Sequence, residues 1–140
     1  MIKAVFDTNV YIDRINRGSY SEVFDSTLQY LSGVVLLELY AGAFSRKDQN
    51  LVDKLEHIHK KVQRLLLPTV SVFRDAGNVL RELGKNQGID PNKRGSLIND
   101  ILIALSSLQI GAIVFTQNEK DYKLIQTVKK FNLEILKPLG

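Results

Sequence analysis

The stretch Ile2-Lys3-Ala4-Val5-Phe6-Asp7-Thr8-Asn9 is a short apolar run that ends on a carboxylate. A run of this length and composition, closed by polar turn-forming residues, reads as a buried strand over Ile2–Phe6. Asp7 then stands at the strand's carboxyl end. Working outward, four further runs have strand length: residues 33–35, 65–67, 112–115 and 134–136. Helical patterns separate them. Ser19-Tyr20-Ser21-Glu22 has the spacing of a capping box. Val72, Ala76, Val79, Leu80 and Leu83 trace one helical stripe after Pro68, with Ser71 as its expected cap. Residues 88–95, with Pro91, read as a loop, and residues 97–108 are apolar all round, as in a buried helix. The alternation predicts an α/β fold: a three-layer α/β/α sandwich around a parallel sheet of about five strands.

A chain of 140 residues, 44% of them hydrophobic, is long enough to bury a core and is expected to form one domain over residues 1–140. It contains no cysteine, which excludes disulfides and thiolate zinc sites and is compatible with a reducing cytoplasm. Asp7 interrupts the first apolar run too early for a signal peptide, and no apolar stretch approaches the roughly 18 residues of a membrane span. A cytoplasmic protein with no membrane association is the expectation. The net charge of +4 gives mild support to a polyanionic partner.

The informative residues are acids in apolar company. Asp7 follows Val5-Phe6, Glu38 lies in Leu36-Leu37-Glu38-Leu39, and Asp100 lies in Leu97-Ile98-Asn99-Asp100-Ile101-Leu102. Asp121 follows the fourth strand run across Thr116-Gln117-Asn118-Glu119-Lys120. A buried carboxylate must be paired, protonated or bound to a cation. Neither Glu38 nor Asp100 has a Lys or Arg three or four positions away, so pairing along the helix does not account for them. In an open parallel sheet, groups beyond the carboxyl ends of neighbouring strands share one crevice. If the first and fourth strands are neighbours, Asp7 meets Thr116, Asn118 and Asp121 there, with Glu38 and Asp100 joining from bordering helices. Clustered oxygen ligands suit a hard ion, Mg2+ or Mn2+, which can orient and activate a water for phosphodiester hydrolysis.

Plainer readings exist for each residue. Asp7 can cap the next helix, Glu38 can lie part-exposed near a helix start, and Asp121 can pair with Lys120 or Lys123. His57 and His59, two apart on a helix, point to different faces and are expected on a solvated basic face with Lys60 and Lys61. Arg46, Lys47, Lys54, Lys60, Lys61 and Arg64 are read as mostly solvated. Lys93 and Arg94, beside the proposed crevice, are better candidates for contacts to the phosphates of a polyanionic substrate. Tyr40, Phe44 and Leu51 mark apolar surface for a dimer or partner interface.

Val5-Phe6-Asp7-Thr8-Asn9, Leu37-Glu38-Leu39 with Ala41-Gly42, Asn99-Asp100-Ile101-Leu102-Ile103-Ala104, and Phe115-Thr116-Gln117-Asn118-Glu119-Lys120-Asp121-Tyr122 fall in an order that resembles the PIN-domain family, especially its VapC-type ribonuclease toxins. The resemblance spans nearly the whole chain. It implies a Mg2+- or Mn2+-dependent endoribonuclease, a homodimer, and inhibition by a small antitoxin protein. It also implies Asp7, Glu38, Asp100 and Asp121 as the catalytic and metal-binding set, with Thr8, Asn9, Thr116 and Asn118 as supporting polar groups. Asn118 stands where many relatives carry an acid, and Tyr122 replaces a commoner Phe, a change expected to matter little.

Two other enzyme classes fit less well. A haloacid-dehalogenase phosphatase needs an acid two residues after Asp7, where this chain has Asn9. A response-regulator receiver needs an Asp at the end of its third strand, where Leu65-Leu66-Leu67-Pro68 has none. A housekeeping RNA-processing nuclease, or a non-catalytic RNA-binding or antitoxin-docking module, remains the alternative to a toxin.

Overall fold

A computed structural model describes residues 1–89 and 95–138. The first strand, β1 (Ile2–Phe6), lies at the centre of a five-stranded, all-parallel sheet. Around it come β2 (Thr27–Ser32), β3 (Leu65–Leu66), β4 (Ile113–Thr116) and β5 (Leu133–Ile135), in the order β3-β2-β1-β4-β5. Helices α1 (Thr8–Arg17), α2 (Ser21–Ser26), α3 (Gly33–Ala41), α4 (Arg46–Lys61), α5 (Val70–Gln87), α6 (Gly95–Gln109) and α7 (Glu119–Gln126) connect and cover the strands. This is the expected α/β/α sandwich. The chain runs outward from β1 through β2 to β3, then returns to the other side of β1 with β4. The order therefore reverses between β1 and β4, which pair directly through Val5–Val114 and Phe6–Phe115.

Burial explains the central strand. Ala4, Val5 and Phe6 have no exposed surface. The Phe6 ring stacks on Phe24 at 4.1 Å and meets Phe115 at 5.2 Å and Tyr11 at 5.9 Å, so an aromatic cluster joins β1, β4 and the first two helices. On the other elements, α6 buries nine residues from Leu97 to Ser107, which makes it the buried helix its composition predicts. The predicted stripe of α5 is also found: Val72, Ala76, Val79 and Leu83 are buried and Leu80 is packed against them. Among the described residues no helix is long and apolar enough to cross a membrane.

Four local expectations need correction. The second strand is Thr27–Ser32, and residues 33–35 instead begin α3. Ser32 ends the strand in extended conformation and its hydroxyl accepts from the Val34 and Val35 amides, so the helix starts at once. Ser19 does not form a capping box. Tyr20 precedes α2 at φ 65°, and its hydroxyl is held by Gln117 Nε2 at 2.8 Å and by the Lys137 carbonyl at 2.9 Å. The cap of α5 is Thr69, whose hydroxyl accepts from Val72 N, while Ser71 sits in the first turn. His59 is buried, its Nδ1 2.8 Å from the Leu55 carbonyl, and only His57 lies on the exposed face. Burial, helped by the nearby Arg64 charge, lowers the His59 pKa. Of the loop expected over residues 88–95, Gly88 and Ile89 are non-helical and Gly95 begins α6, while 90–94, with Lys93 and Arg94, lie outside the described residues.

Candidate active site

The register of the sheet builds the first half of the site. One residue beyond the Phe6–Phe115 pair stand Asp7 and Thr116. The Asp7 amide donates to the Phe115 carbonyl at 2.9 Å, which keeps the two chain ends together past the strands. Thr116 Oγ1 then donates to Asp7 Oδ2 at 2.7 Å. Asp7 also caps α1, its Oδ1 accepting from Thr8 N at 2.8 Å. The plain capping role is real, and it aims one end of a buried carboxylate into the crevice at the switch point.

Three other elements deliver the remaining acids. Glu38, on the part-buried side of α3, accepts from Thr8 Oγ1 at 2.7 Å and from Asn99 Nδ2 at 3.4 Å. Asp100, buried on α6, accepts from Asn118 Nδ2 at 3.2 Å. The same Asn118 nitrogen lies 3.1 Å from Asp121 Oδ2 on α7, and Asn118 Oδ1 caps that helix by accepting from Asp121 N. Asn118 thus bridges two acids with a single amide. Asn9 faces the opposite rim, where its Oδ1 accepts from Gln117 N at 3.3 Å. Gln117 Nε2 donates to Asp13 Oδ2 at 2.6 Å, so the loop after β4 is tied to α1.

Seven of the eight residues expected in the crevice from the sequence are linked there by hydrogen bonds, while Asn9 instead holds the Gln117 amide, and Lys93 and Arg94 lie outside the described residues. Those that sequence reasoning passed over are Asn99, Gln117 and the hydroxyl of Tyr122. Asn99 was readable in principle, because it precedes Asp100 on the same buried helix. Gln117 was not, since its role depends on the turn at Tyr20.

Electrostatically the site is strained. Burial, followed by the charges of Asp7, Asp121 and Glu38, raises the Asp100 carboxyl to about 8. Burial is also the main reason the Asp7 pKa is raised, against the lowering effect of Thr116 and the Thr8 amide. Uncompensated acids thus crowd one pocket, and a cation would relieve the repulsion. Among the described residues no three acidic or histidine side chains close on one point as a ready-made cage. A hard divalent ion takes oxygen ligands and can keep several waters of its own. The donor set is oxygen-only and fits such an ion.

The chain belongs to the PIN domain family, whose model matches residues 4–127. Similar solved structures include VapBC2 from Rickettsia felis bound to a DNA fragment from its promoter. It is 23% identical, with 97% of this chain and 100% of that chain covered at a TM-score of 0.68. VapBC-1 from nontypeable Haemophilus influenzae is 22% identical, covering 96% and 98% at 0.69. DNA-bound VapBC from Salmonella typhimurium is 24% identical, covering 96% and 98% at 0.67. At these identities the likeness shows a shared fold. Among curated proteins, none matches the chain significantly.

Proposed function

We propose that this chain is a divalent-metal-dependent endoribonuclease, the toxin of a VapBC-like toxin–antitoxin pair. The observation that carries the reading is the crowding of Asp7, Glu38, Asp100 and Asp121, from four separate elements, at the switch point of the sheet. Asp7 and Asp100 would hold the ion, with Glu38 and Asp121 acting on it directly or through water. A bound Mg2+ or Mn2+ supplies the Lewis acid that activates water and offsets charge on the phosphodiester. Thr116 and Thr8 fix the carboxylates they touch, and Asn118 keeps Asp100 and Asp121 in register. Lys93 and Arg94 are assigned to the RNA backbone by their place in the chain just before α6.

The similarity to complexes of the VapBC type supports a small antitoxin as partner. A shallow groove between α1, α3 and α4, lined by Ile12, Ile15, Leu39, Leu51 and Val52, runs up to Glu38 and would receive it. Phe44, 90% exposed, lies beside this groove in sequence and agrees with the apolar surface expected near Tyr40, Phe44 and Leu51. Tyr40 itself is engaged, its hydroxyl 2.6 Å from Asp53 and 2.7 Å from Glu56.

The test is RNA cleavage by the purified, partner-free protein. Cutting should require Mg2+ or Mn2+ and stop on addition of EDTA, and Asp7→Asn and Asp100→Asn should each lose most of the rate. Cleavage that persists in EDTA, or an Asp100→Asn protein as active as wild type, overturns the assignment. Growth arrest on expression, relieved by the product of the adjacent reading frame, separates a toxin from an RNA-processing nuclease on the same fold.

A further inference from the structure

Three buried side-chain oxygens have no hydrogen-bond partner among the described residues: the hydroxyls of Tyr11, Ser106 and Tyr122. Tyr11 lies within the aromatic cluster of Phe6 and Phe24, and Ser106 inside α6. Tyr122 differs. Its ring is wholly buried on α7, edge-on to Phe131 at 6.2 Å. Its hydroxyl faces the carboxylates of Asp7 and Asp100, near enough to favour their ionised forms, yet it meets the geometry of a formed hydrogen bond with neither.

An unpaired buried hydroxyl bears its desolvation penalty without return, so its direction calls for a physical account. The two acids have room for it. Each oxygen of Asp7 accepts one donor, Thr8 N or Thr116 Oγ1, and each can accept a second. Asp100 receives Asn118 Nδ2 on Oδ2. A carboxylate that turns to hold a cation needs a donor behind it to fix its orientation. We propose that Tyr122 is a positioning residue: its hydroxyl donates to the Asp7–Asp100 pair when that pair holds a divalent cation, and so sets the affinity of the site. This rests on the reading that those acids bind such an ion.

The test compares wild type with Tyr122→Phe, which deletes one oxygen and keeps the ring. Mn2+ is titrated into each by calorimetry at one pH, and each is melted with EDTA and with Mn2+. In EDTA the variant should melt close to the wild-type temperature, because the hydroxyl has no fully formed hydrogen bond to lose there. Its Mn2+ affinity should fall about ten-fold, the size typical of a lost partner behind a metal ligand, and its Mn2+-induced rise in Tm should shrink with it. Wild-type affinity in Tyr122→Phe overturns this inference alone. A lower Tm in EDTA with unchanged affinity assigns the hydroxyl a purely structural role and also overturns it. If wild type itself binds no Mn2+ at millimolar concentration, the metal reading fails and the inference fails with it.

Discussion

At the scale of single residues, Asp100 joins function to instability. Folded, its carboxyl keeps a proton up to about pH 8, whereas its ordinary value is 3.8. Between those values the folded state binds more protons than the unfolded state, so stability falls as pH rises. The destabilising effect is complete once the pH exceeds the folded value. Urea melts in EDTA from pH 5 to pH 9 should show this decline, and Asp100→Asn should flatten it while raising stability at pH 8. Asparagine can still accept from Asn118 and carries no charge to repel Asp7. The same substitution should cost at least about 100-fold in cleavage, on the scale of other lost metal-site groups. Gain of stability with loss of activity marks a functional strain; an Asp100→Asn protein with the wild-type pH slope refutes the account of its environment. Glu38 allows a second check. Thr8→Val removes the shorter of its two hydrogen bonds. Cleavage should fall several-fold with little change in Tm, since Thr8 is only part-buried and the bond is one of the roughly 1 kcal/mol class. Unchanged kinetics in Thr8→Val would remove Thr8 from the supporting set.

At the scale of elements, the lesson lies at the junction of β2 and α3. Val34-Val35-Leu36-Leu37 satisfies strand and helix patterns alike, because a short apolar run carries no usable period. The deciding group is Ser32, one hydroxyl that closes the strand and caps the helix. Ser32→Ala should therefore cost about 1 kcal/mol of stability. Because α3 carries Glu38, it should also lower metal-dependent cleavage, with denaturant melts and initial rates as the measurements. A Ser32→Ala protein as stable as wild type would mean that packing alone starts the helix. The other elements divide in the same way. β1 and α6 were legible because burial on all sides leaves an uninterrupted apolar record. The cap at Thr69 and the turn at Tyr20 were not. The first competes with Ser71 two positions on, and the second depends on Gln117 and Lys137, far away in the chain. Likewise the four acids stood out in sequence by their apolar neighbours. Their hydrogen bonds from Thr8, Asn99 and Asn118 appear only once the strands pair and the helices pack.

At the scale of the whole molecule, two groups of exposed apolar side chains stand out among the described residues. One lines the groove between α1, α3 and α4 that includes Glu38. The other comprises Leu37, Leu67, Val70 and Phe73, each more than half exposed. Val70 and Phe73 lie one turn apart on α5, and Leu67 approaches Gly33, one turn before Leu37 on α3. Large apolar side chains left exposed mark candidate contact surface, and a patch that meets its own copy across a two-fold axis needs no second gene product. The homodimer is accordingly expected through this second face, leaving the groove free. Light scattering at tens of micromolar should give twice the chain mass for wild type. Val70→Asp with Phe73→Asp should halve it, because two charges would be buried at the contact without partners. Phe44→Asp, at the groove side, should leave the mass at the dimer value. A wild-type monomer rules out the dimer, and a monomer produced by Phe44→Asp instead would move the interface to the groove and place dimerisation in competition with the inhibitor.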